Sequence, residues 1–445
     1  MPQSQPEAVK AGTPPAATVK SGSDLIRIHG GKELNGEIAI SVAKNAALPL
    51  MCAALLTGET VRFTNMPASL RDIRTLTAVL EGLGATVATG PAGTMAVQAQ
   101  NVKSAHADYG LVSQMRASIL VLGPLVARLG QAEVSLPGGC AIGTRPIDLH
   151  LMGLKALGAE ITVEDGYVRA RAPNGLTGGE VTFPKVSVGA TENIMMAATL
   201  AKGVTTLFNA AMEPEIVDLG HCLIAMGAKI EGLGTAMIKI TGVEKLHGAD
   251  HAVIADRIET GTYMIAVALT GGSLRLKNTQ AHFLRALIGP LKTAGVSIEE
   301  DGNDVIVSRN GRPLVGTDIM TEAYPGFPTD MQAQFMTMLT QCEGAGMVTE
   351  TIFENRFMHV PELCRMGANI TVHGASAIVR GVKKLKGTDV MATDLRASVA
   401  LVLAGLVAEG ATTVHRIYHL DRGYENLVEK LQACGASIER LKSQD

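Results

Sequence analysis

The chain has 445 residues, 47% of them hydrophobic and 18% charged, which is enough apolar length for two filled cores and too apolar for a disordered regulator. A formal net charge of −3 supplies no overall basic field for nucleic acid or an acidic membrane surface. Any anion the protein binds must therefore be gathered by a local cluster.

Met1 to about Gly22 is rich in Pro, Ala and Ser, lacks an apolar signal core and reads as a disordered tail. Beyond it, two kinds of helix alternate. The first kind is dense in Ala, Met, Leu and Gly and covers Asn45 to Gly58, Met115 to Gly130, Ala190 to Gly203, Gly261 to Gly271, Met331 to Gly344 and Arg396 to Gly410. Such segments are apolar nearly all round, so burial on every side is expected. The second kind is an amphipathic stripe ending in glycine: LTAVLEGLGATV around Gly84, LMGLKALGAEI around Gly158, LGHCLIAMGAKI around Gly227, IGPLKTAGVSI around Gly295, PELCRMGANI around Gly367 and LVEKLQACGASI around Gly435. Successive glycines lie 74, 69, 68, 72 and 68 residues apart. Each stripe reads as helix, left-handed glycine cap, then strand.

Six copies of one unit follow. Each is βαβαββ-like, with the wholly apolar helix in the middle, and three copies make a domain. The fold class expected is α/β, a two-domain inside-out αβ barrel in which three inner helices pack through Ala and Gly faces.

The inner helices begin with polar or charged residues: Lys44 and Asn45, Arg116, Ser187 to Thr191, Asp330, then Asp394 and Arg396. Ser, Thr and Asp are ordinary N-caps. Lys and Arg oppose the helix dipole there, so several such starts aimed at one crevice suggest an anion site. The six cysteines, Cys52, Cys140, Cys222, Cys342, Cys364 and Cys434, show no CxxC pair or zinc spacing and suit reduced thiols in the cytosol. The 11 histidines are dispersed, so no metal site and no cofactor is expected. Apolar runs such as 397–408 stop short of the roughly 18 residues a membrane span needs. Neither GxGxxG nor a P-loop occurs.

PGGCAIGTRPIDLHLMGLKALGAEI, from Pro137 to Ile161, resembles the catalytic loop of the UDP-N-acetylglucosamine 1-carboxyvinyltransferase family. SVAKNAALPL near Lys44, SQMRASILVLGPL near Arg116, FPKVSVGATENIMMAATL near Lys185, YPGFPTDMQAQFM near Asp330, ETIFENRFMHVPEL near Arg356 and HLDRGYE near Arg422 resemble that family in order and spacing. The resemblance covers about residues 25 to 442. It implies transfer of the enolpyruvyl group of phosphoenolpyruvate to the 3'-hydroxyl of UDP-N-acetylglucosamine, the first committed step of peptidoglycan precursor synthesis.

Breaking the C–O bond at C2 of phosphoenolpyruvate requires protonation at C3, so an acid must sit beside C3. Cys140, on a loop with Gly138, Gly139 and Gly143 and near Arg145, is the candidate. The resemblance implies that Cys140 is the general acid, can form a phosphoenolpyruvate adduct and is alkylated by fosfomycin. Asp330 is the candidate base for the attacking hydroxyl, although a carboxylate at a positive helix end is a weak base when free. Lys44, Arg145, Arg396 and Arg422 match family positions for the phosphate and carboxylate, with Asn45 close by. The nucleotide side falls to Arg116, to Arg145, Pro146, Ile147, Asp148 and Leu149, and to Lys185, Val186, Ser187 and Val188. Ile352 and Asp330 are expected near the sugar, and His150 resembles a family residue on the uridine side.

A first domain from about 44 to 256 and a second from 257 to 445 are expected, with Leu25 to Val42 packing on the second by resemblance. The site would lie in the cleft between them. The nearest rival is the sister enzyme acting on shikimate 3-phosphate, whose family lacks the cysteine loop and the KVSVGAT run. A non-catalytic sugar-nucleotide sensor would have lost the acid or base, and a purely structural repeat would carry bland residues at the inner-helix starts.

Overall fold

The structure is a computed structural model that describes residues 24–102, 104–107, 109–112, 115–136 and 146–442. Cys140 and Arg145 lie outside the described residues. Among the described residues six four-stranded sheets form, all with one pattern. In the third, Glu180–Thr182 runs parallel to Val204–Phe208, which pairs antiparallel with Met237–Thr241, which pairs antiparallel with Lys229–Glu231. Alternation along each strand puts one face inward. Thr205 and Leu207 on one strand, and Ile238 and Ile240 on the next, are fully buried.

The six repeat glycines all adopt positive φ, from 87° at Gly158 to 104° at Gly295. A side chain there costs about 1–2 kcal/mol. Each glycine ends an outer helix in a two-bond cap. At the first, Gly84 N donates to Glu81 O at 2.9 Å and Ala85 N to Leu80 O at 3.0 Å, and the same pair of bonds recurs at Gly158, Gly227, Gly295, Gly367 and Gly435. A strand then starts two residues after each glycine, as at Thr86 after Gly84 and Glu160 after Gly158, which explains why the stripe and the strand are always close in sequence.

The inner helices are Lys44–Ala53, Leu122–Leu129, Val188–Ala198, Arg257–Thr270, Gln332–Leu339 and Leu395–Gly405. They are buried almost throughout; every residue from Arg396 to Gly405 is buried. The arrangement is the inside-out αβ barrel expected, with helices in the middle and sheets outside. The second inner helix departs from a continuous α-helix, because Arg116–Val121 is a 3-10 turn. Asn193 reaches in from the third inner helix and takes the Gly123 N–H at 2.7 Å, and Pro124 has no N–H to offer.

Two separate cores result. One gathers buried residues from Ala43 to Val253, and the other gathers Ile26 to Ile40 with Ile258 to Ile438. Leu25–His29 inserts between Ala411–His415 and Ser437–Leu441, while Leu34–Ala39 pairs parallel with Gly272–Lys277. Asp250–Ala252 returns to pair with Thr60–Thr64 in the first sheet. The chain therefore crosses between cores twice, and the crossings are hydrogen-bonded side by side. Ala43 N donates to Ile254 O and Asp256 N to Ser41 O, each at 2.8 Å.

Candidate active site

The starts of inner helices from both cores meet across the gap between them. Lys44 is the first residue of its helix, and the cap residue, Ala43, has no side-chain acceptor for that end. Its Nζ lies 3.3 Å from Asp72 Oδ2. Asp72, in the first turn of the outer helix Arg71–Gly82, also takes Arg422 Nε from the opposite core, Oδ1 to Nε being 2.8 Å. One carboxylate thus ties a lysine of one core to an arginine of the other. Burial pushes the Asp72 carboxyl up, but Lys44 and Arg422 reverse this and hold it below the usual carboxylate value. Burial pushes the Lys44 ammonium down, with Arg396 and Arg422 adding to that and Asp72 and Asp330 opposing it.

Asp330 sits in the 3-10 turn Thr329–Met331 that leads into the fifth inner helix, and Pro328, not Asp330, occupies the cap position. Its two oxygens are divided between two guanidiniums: Oδ1 accepts from Arg356 Nη2 and Oδ2 from Arg396 Nη2, both at 2.7 Å. Burial raises the carboxyl, Arg396 and Arg356 outweigh it, and the group is held well below the ordinary value. At neutral pH Asp330 is ionised. Arg396 is further held by Tyr424, whose hydroxyl accepts from Nη1 at 3.3 Å and meets Thr262 Oγ1 at 2.8 Å. Arg356 also donates to Thr329, which bonds Glu350. Glu350 Oε1 in turn accepts the N–H groups of Ile352 at 2.8 Å and Phe353 at 3.1 Å, fixing the turn that carries the exposed Ile352 side chain.

A further charged link crosses the cores where Arg257 Nε meets Glu215 Oε1 at 3.0 Å. Such an arrangement, with clustered guanidiniums, one ammonium and two ionised carboxylates between two bodies, suits a small polyanionic substrate that can share cations with internal acids.

The family model described as EPSP synthase (3-phosphoshikimate 1-carboxyvinyltransferase) matches residues 28–431. The UDP-N-acetylglucosamine 1-carboxyvinyltransferase of Granulibacter bethesdensis is 60% identical over 420 residues, 94% of this chain and 99% of that one. The chain belongs to the enolpyruvyl transferase family. The UDP-N-acetylglucosamine 1-carboxyvinyltransferase of Caulobacter vibrioides is 58% identical over 94% of this chain and 98% of its own. Among solved structures, the enolpyruvyl transferase NikO from Streptomyces tendae superposes with a TM-score of 0.84 at 27% identity, covering 95% of this chain and all of that one. EPSP synthase from Acinetobacter baumannii shares the fold, with a TM-score of 0.72 at 18% identity over 95% of this chain and all of its own.

Of the residues expected from the sequence of this enolpyruvyl transferase, Lys44, Arg422, Asp330 and Arg396 are drawn into one charged cluster. Asn45 is exposed beside Lys44. Arg116 opens the 3-10 turn that packs on the third inner helix, whose cap is Ser187; the Ser187 hydroxyl accepts from Ala190 N at 3.3 Å. Lys185 is exposed, and Val186 and Val188 are half-buried on the same approach. Pro146 and Asp148 are exposed and Ile147 is half-buried ahead of the outer helix Asp148–Ala156. The Leu149 side chain belongs to the core, which leaves its main chain for any ligand contact.

Two residues of the cluster carry no role in the sequence reading. Asp72 left a signal: Ile73, Leu76, Val79 and Leu80 mark the buried stripe of its helix, and an acid four residues before Leu76 falls on that stripe. Arg356 left none beyond lying in a family-like segment, because an isolated arginine after a turn reads as surface charge. Among the described residues no group of three or more His, Cys, Asp or Glu side chains could hold a metal ion, and no helix is long and apolar enough to cross a membrane.

Proposed function

We propose that this enolpyruvyl transferase moves the enolpyruvyl group of phosphoenolpyruvate to the 3'-hydroxyl of UDP-N-acetylglucosamine and releases phosphate, as the names of its close relatives indicate for those proteins. The observation that carries the reading is the cluster spanning both cores, with Lys44 and Arg422 on Asp72 and with Arg356 and Arg396 on Asp330. Phosphoenolpyruvate brings a phosphate and a carboxylate, and Lys44, Arg396, Arg422 and Arg145 supply cations for them. Asn45 lies at the same end.

Cys140 donates a proton to C3, which makes C2 electrophilic. Asp330 orients the sugar hydroxyl and accepts its proton as the oxygen attacks C2, giving a tetrahedral phospho-lactoyl ketal. Loss of a C3 proton then expels inorganic phosphate and restores the enol ether. A carboxylate held by two arginines is a weak base, so Asp330 contributes chiefly by aligning the hydroxyl and stabilising positive charge as the proton leaves it. Closure of the two cores excludes water from the intermediate. Arg116, residues 145–149 and residues 185–188 hold the nucleotide, Ile352 flanks the sugar, and fosfomycin alkylates Cys140. The reaction belongs to peptidoglycan precursor synthesis in the cytoplasm and so to cell shape and division. These steps need no metal and no cofactor.

The test is phosphate release from phosphoenolpyruvate with UDP-N-acetylglucosamine or shikimate 3-phosphate as acceptor. Release dependent on the sugar nucleotide is expected; release with shikimate 3-phosphate alone overturns the assignment in favour of the sister activity. Peptide mapping of fosfomycin-treated protein should place the label on Cys140, and a label on Cys52 or Cys222 instead refutes the role of that thiol.

A further inference from the structure

The ladder that holds the first crossing strand to the second core ends just before the chain changes core. Ile40 N donates to Lys277 O at 3.0 Å, and the Ile40 side chain packs in the second core. Val42 and Ala43 already pack with the first core. On the returning strand Val253 and Ile254 belong to the first core and Ala255 to the second. The change of core is therefore confined to Ser41–Val42 on one strand and Ile254–Ala255 on the other. These steps lie side by side, because Val42 pairs antiparallel with Ala255.

Ser41 is tied down on the second-core side of this pivot. Its N–H donates to Glu259 Oε2 at 2.6 Å, and its hydroxyl accepts from Lys430 Nζ at 2.7 Å. Glu259 and Lys430 are themselves an ion pair, with Oε1 2.6 Å from Nζ and side chains 2% and 18% exposed. The Tyr263 hydroxyl donates to the same Oε1 at 3.4 Å. Glu259 lies in the first turn of the fourth inner helix and Lys430 on the outer helix Leu427–Ala433, so both belong to the second core. Across the crossing, Asp256 N donates to Ser41 O at 2.8 Å, while Asp256 Oδ1 caps the fourth inner helix by accepting from Ile258 N and Glu259 N. Both strands are thus held at one helix start, and Lys44 follows Ser41 by only three residues.

A buried ion pair adds little net stability over apolar residues of the same volume, so stability does not account for this one. Motion between two bodies is absorbed by a few residues at element ends, and the placing of a reactive group then depends on what holds those residues. We infer that Glu259 and Lys430 are positioning residues that clamp Ser41 to the second core, so that the cores pivot only about Ser41–Val42 and Ile254–Ala255 and Lys44 meets phosphoenolpyruvate in fixed register with Arg396 and Arg422. The inference rests on the function proposed above for the role of Lys44, and on the hydrogen bonds alone for the clamp.

Two measurements separate these. Amide hydrogen exchange, read residue by residue on the full chain without substrates, should show Ser41 protected by at least about 10²-fold in the parent. Fast exchange at Ser41 overturns the clamp whatever the enzyme's substrate. The double variant Glu259→Leu with Lys430→Met leaves no unpaired buried charge, so it should fold, and it removes the acceptor of the Ser41 N–H. Exchange at Ser41 should then rise at least about tenfold more than at Leu274, the weight of one hydrogen bond to a charged group. In steady-state assays the same variant should raise KM for phosphoenolpyruvate about tenfold or more, since a misplacement of about 1 Å costs up to about 10²-fold. KM for UDP-N-acetylglucosamine should stay within about twofold. Lys430→Arg, which keeps a donor for both Glu259 and the Ser41 hydroxyl, should remain near the parent in both measurements. A fall in kcat with both KM values unchanged is the mark of a merely structural pair and overturns the positioning role, as does faster exchange at Ser41 with unaltered kinetics. Lys430→Met alone and the parent exchange pattern carry the test even if the double variant does not fold.

Discussion

Asp72→Asn is the most informative single change, because one buried carboxylate compensates two cations from different cores. The Asp72 side chain is 5% exposed, Lys44 13% and Arg422 35%. Removing one partner of a fully buried pair costs about 3–5 kcal/mol. Arg422 is a third exposed and regains water, and asparagine still offers one acceptor, so the lower end, about 3 kcal/mol, is expected at pH 7. For a unit of this size that lowers the melting temperature by about 6–12 °C. The pH dependence gives the sign. The folded-state value of Asp72 is depressed, so its contribution is fully present above the unfolded value near 4 and is lost as pH falls through the folded value. The gap between parent and variant should therefore be constant from about pH 6 to 8 and narrow toward pH 3. Calorimetry over that range is the assay, with Asp250→Asn as the control. Its ion pair with Arg62 is open to solvent and should matter by less than about 0.5 kcal/mol. A gap for Asp72→Asn no larger than the control, or one that does not narrow on acidification, refutes the bridging role. In the active enzyme the same change removes an upward pull on Lys44, so the alkaline limb of kcat/KM for phosphoenolpyruvate should move to lower pH.

Asp330→Asn should lower kcat by about 10²–10⁴-fold, the range for a removed acid–base group. Because Arg396 and Arg356 keep this carboxyl well below its ordinary value, Asp330 should contribute no inflection to the parent pH–rate profile between pH 5 and 9. An inflection abolished only by this substitution contradicts that. Gly123→Ala places a Cβ 2.3 Å from Asn193 Oδ1 and 2.5 Å from Asn193 O. It should destabilise by about 1–3 kcal/mol in urea titration. Burial pushes the Cys222 and Cys342 thiols up to about 12 and raises Cys52 as well, whereas Cys364 is exposed. In Cys140→Ser, maleimide at neutral pH should label Cys364 first, and rapid labelling of Cys52 or Cys222 in the native protein counts against the burial described.

The repeat was legible because each unit writes its own signal locally. A glycine that must take positive φ, an amphipathic stripe before it and a wholly apolar helix upstream recur at near-constant spacing, and the six caps at Gly84 to Gly435 have the conformation that spacing predicts. Helix starts at Lys44 and Arg396 were legible for the same reason, since a cation opposing a helix dipole is a local anomaly, whereas Arg116 opens a 3-10 turn ahead of an inner helix that begins only at Leu122. Asp330 was placed correctly in the chain but not in its environment, because its two arginines come from residues 26 and 66 positions away. The insertion of Asn193 into another helix 70 residues distant had no sequence signature at all.

The linear order of residues alone therefore determined the unit, its sixfold repetition and the inside-out placement of the helices, since periodicity and turn chemistry act over a few residues, while the family was read from the resemblance of whole motifs such as those around Lys185 and Asp330. Tertiary structure alone decided which charges neutralise one another. Asp72 reaches Arg422 across 350 positions, and no short-range rule predicts a partner whose approach depends on how two separately packed cores face each other.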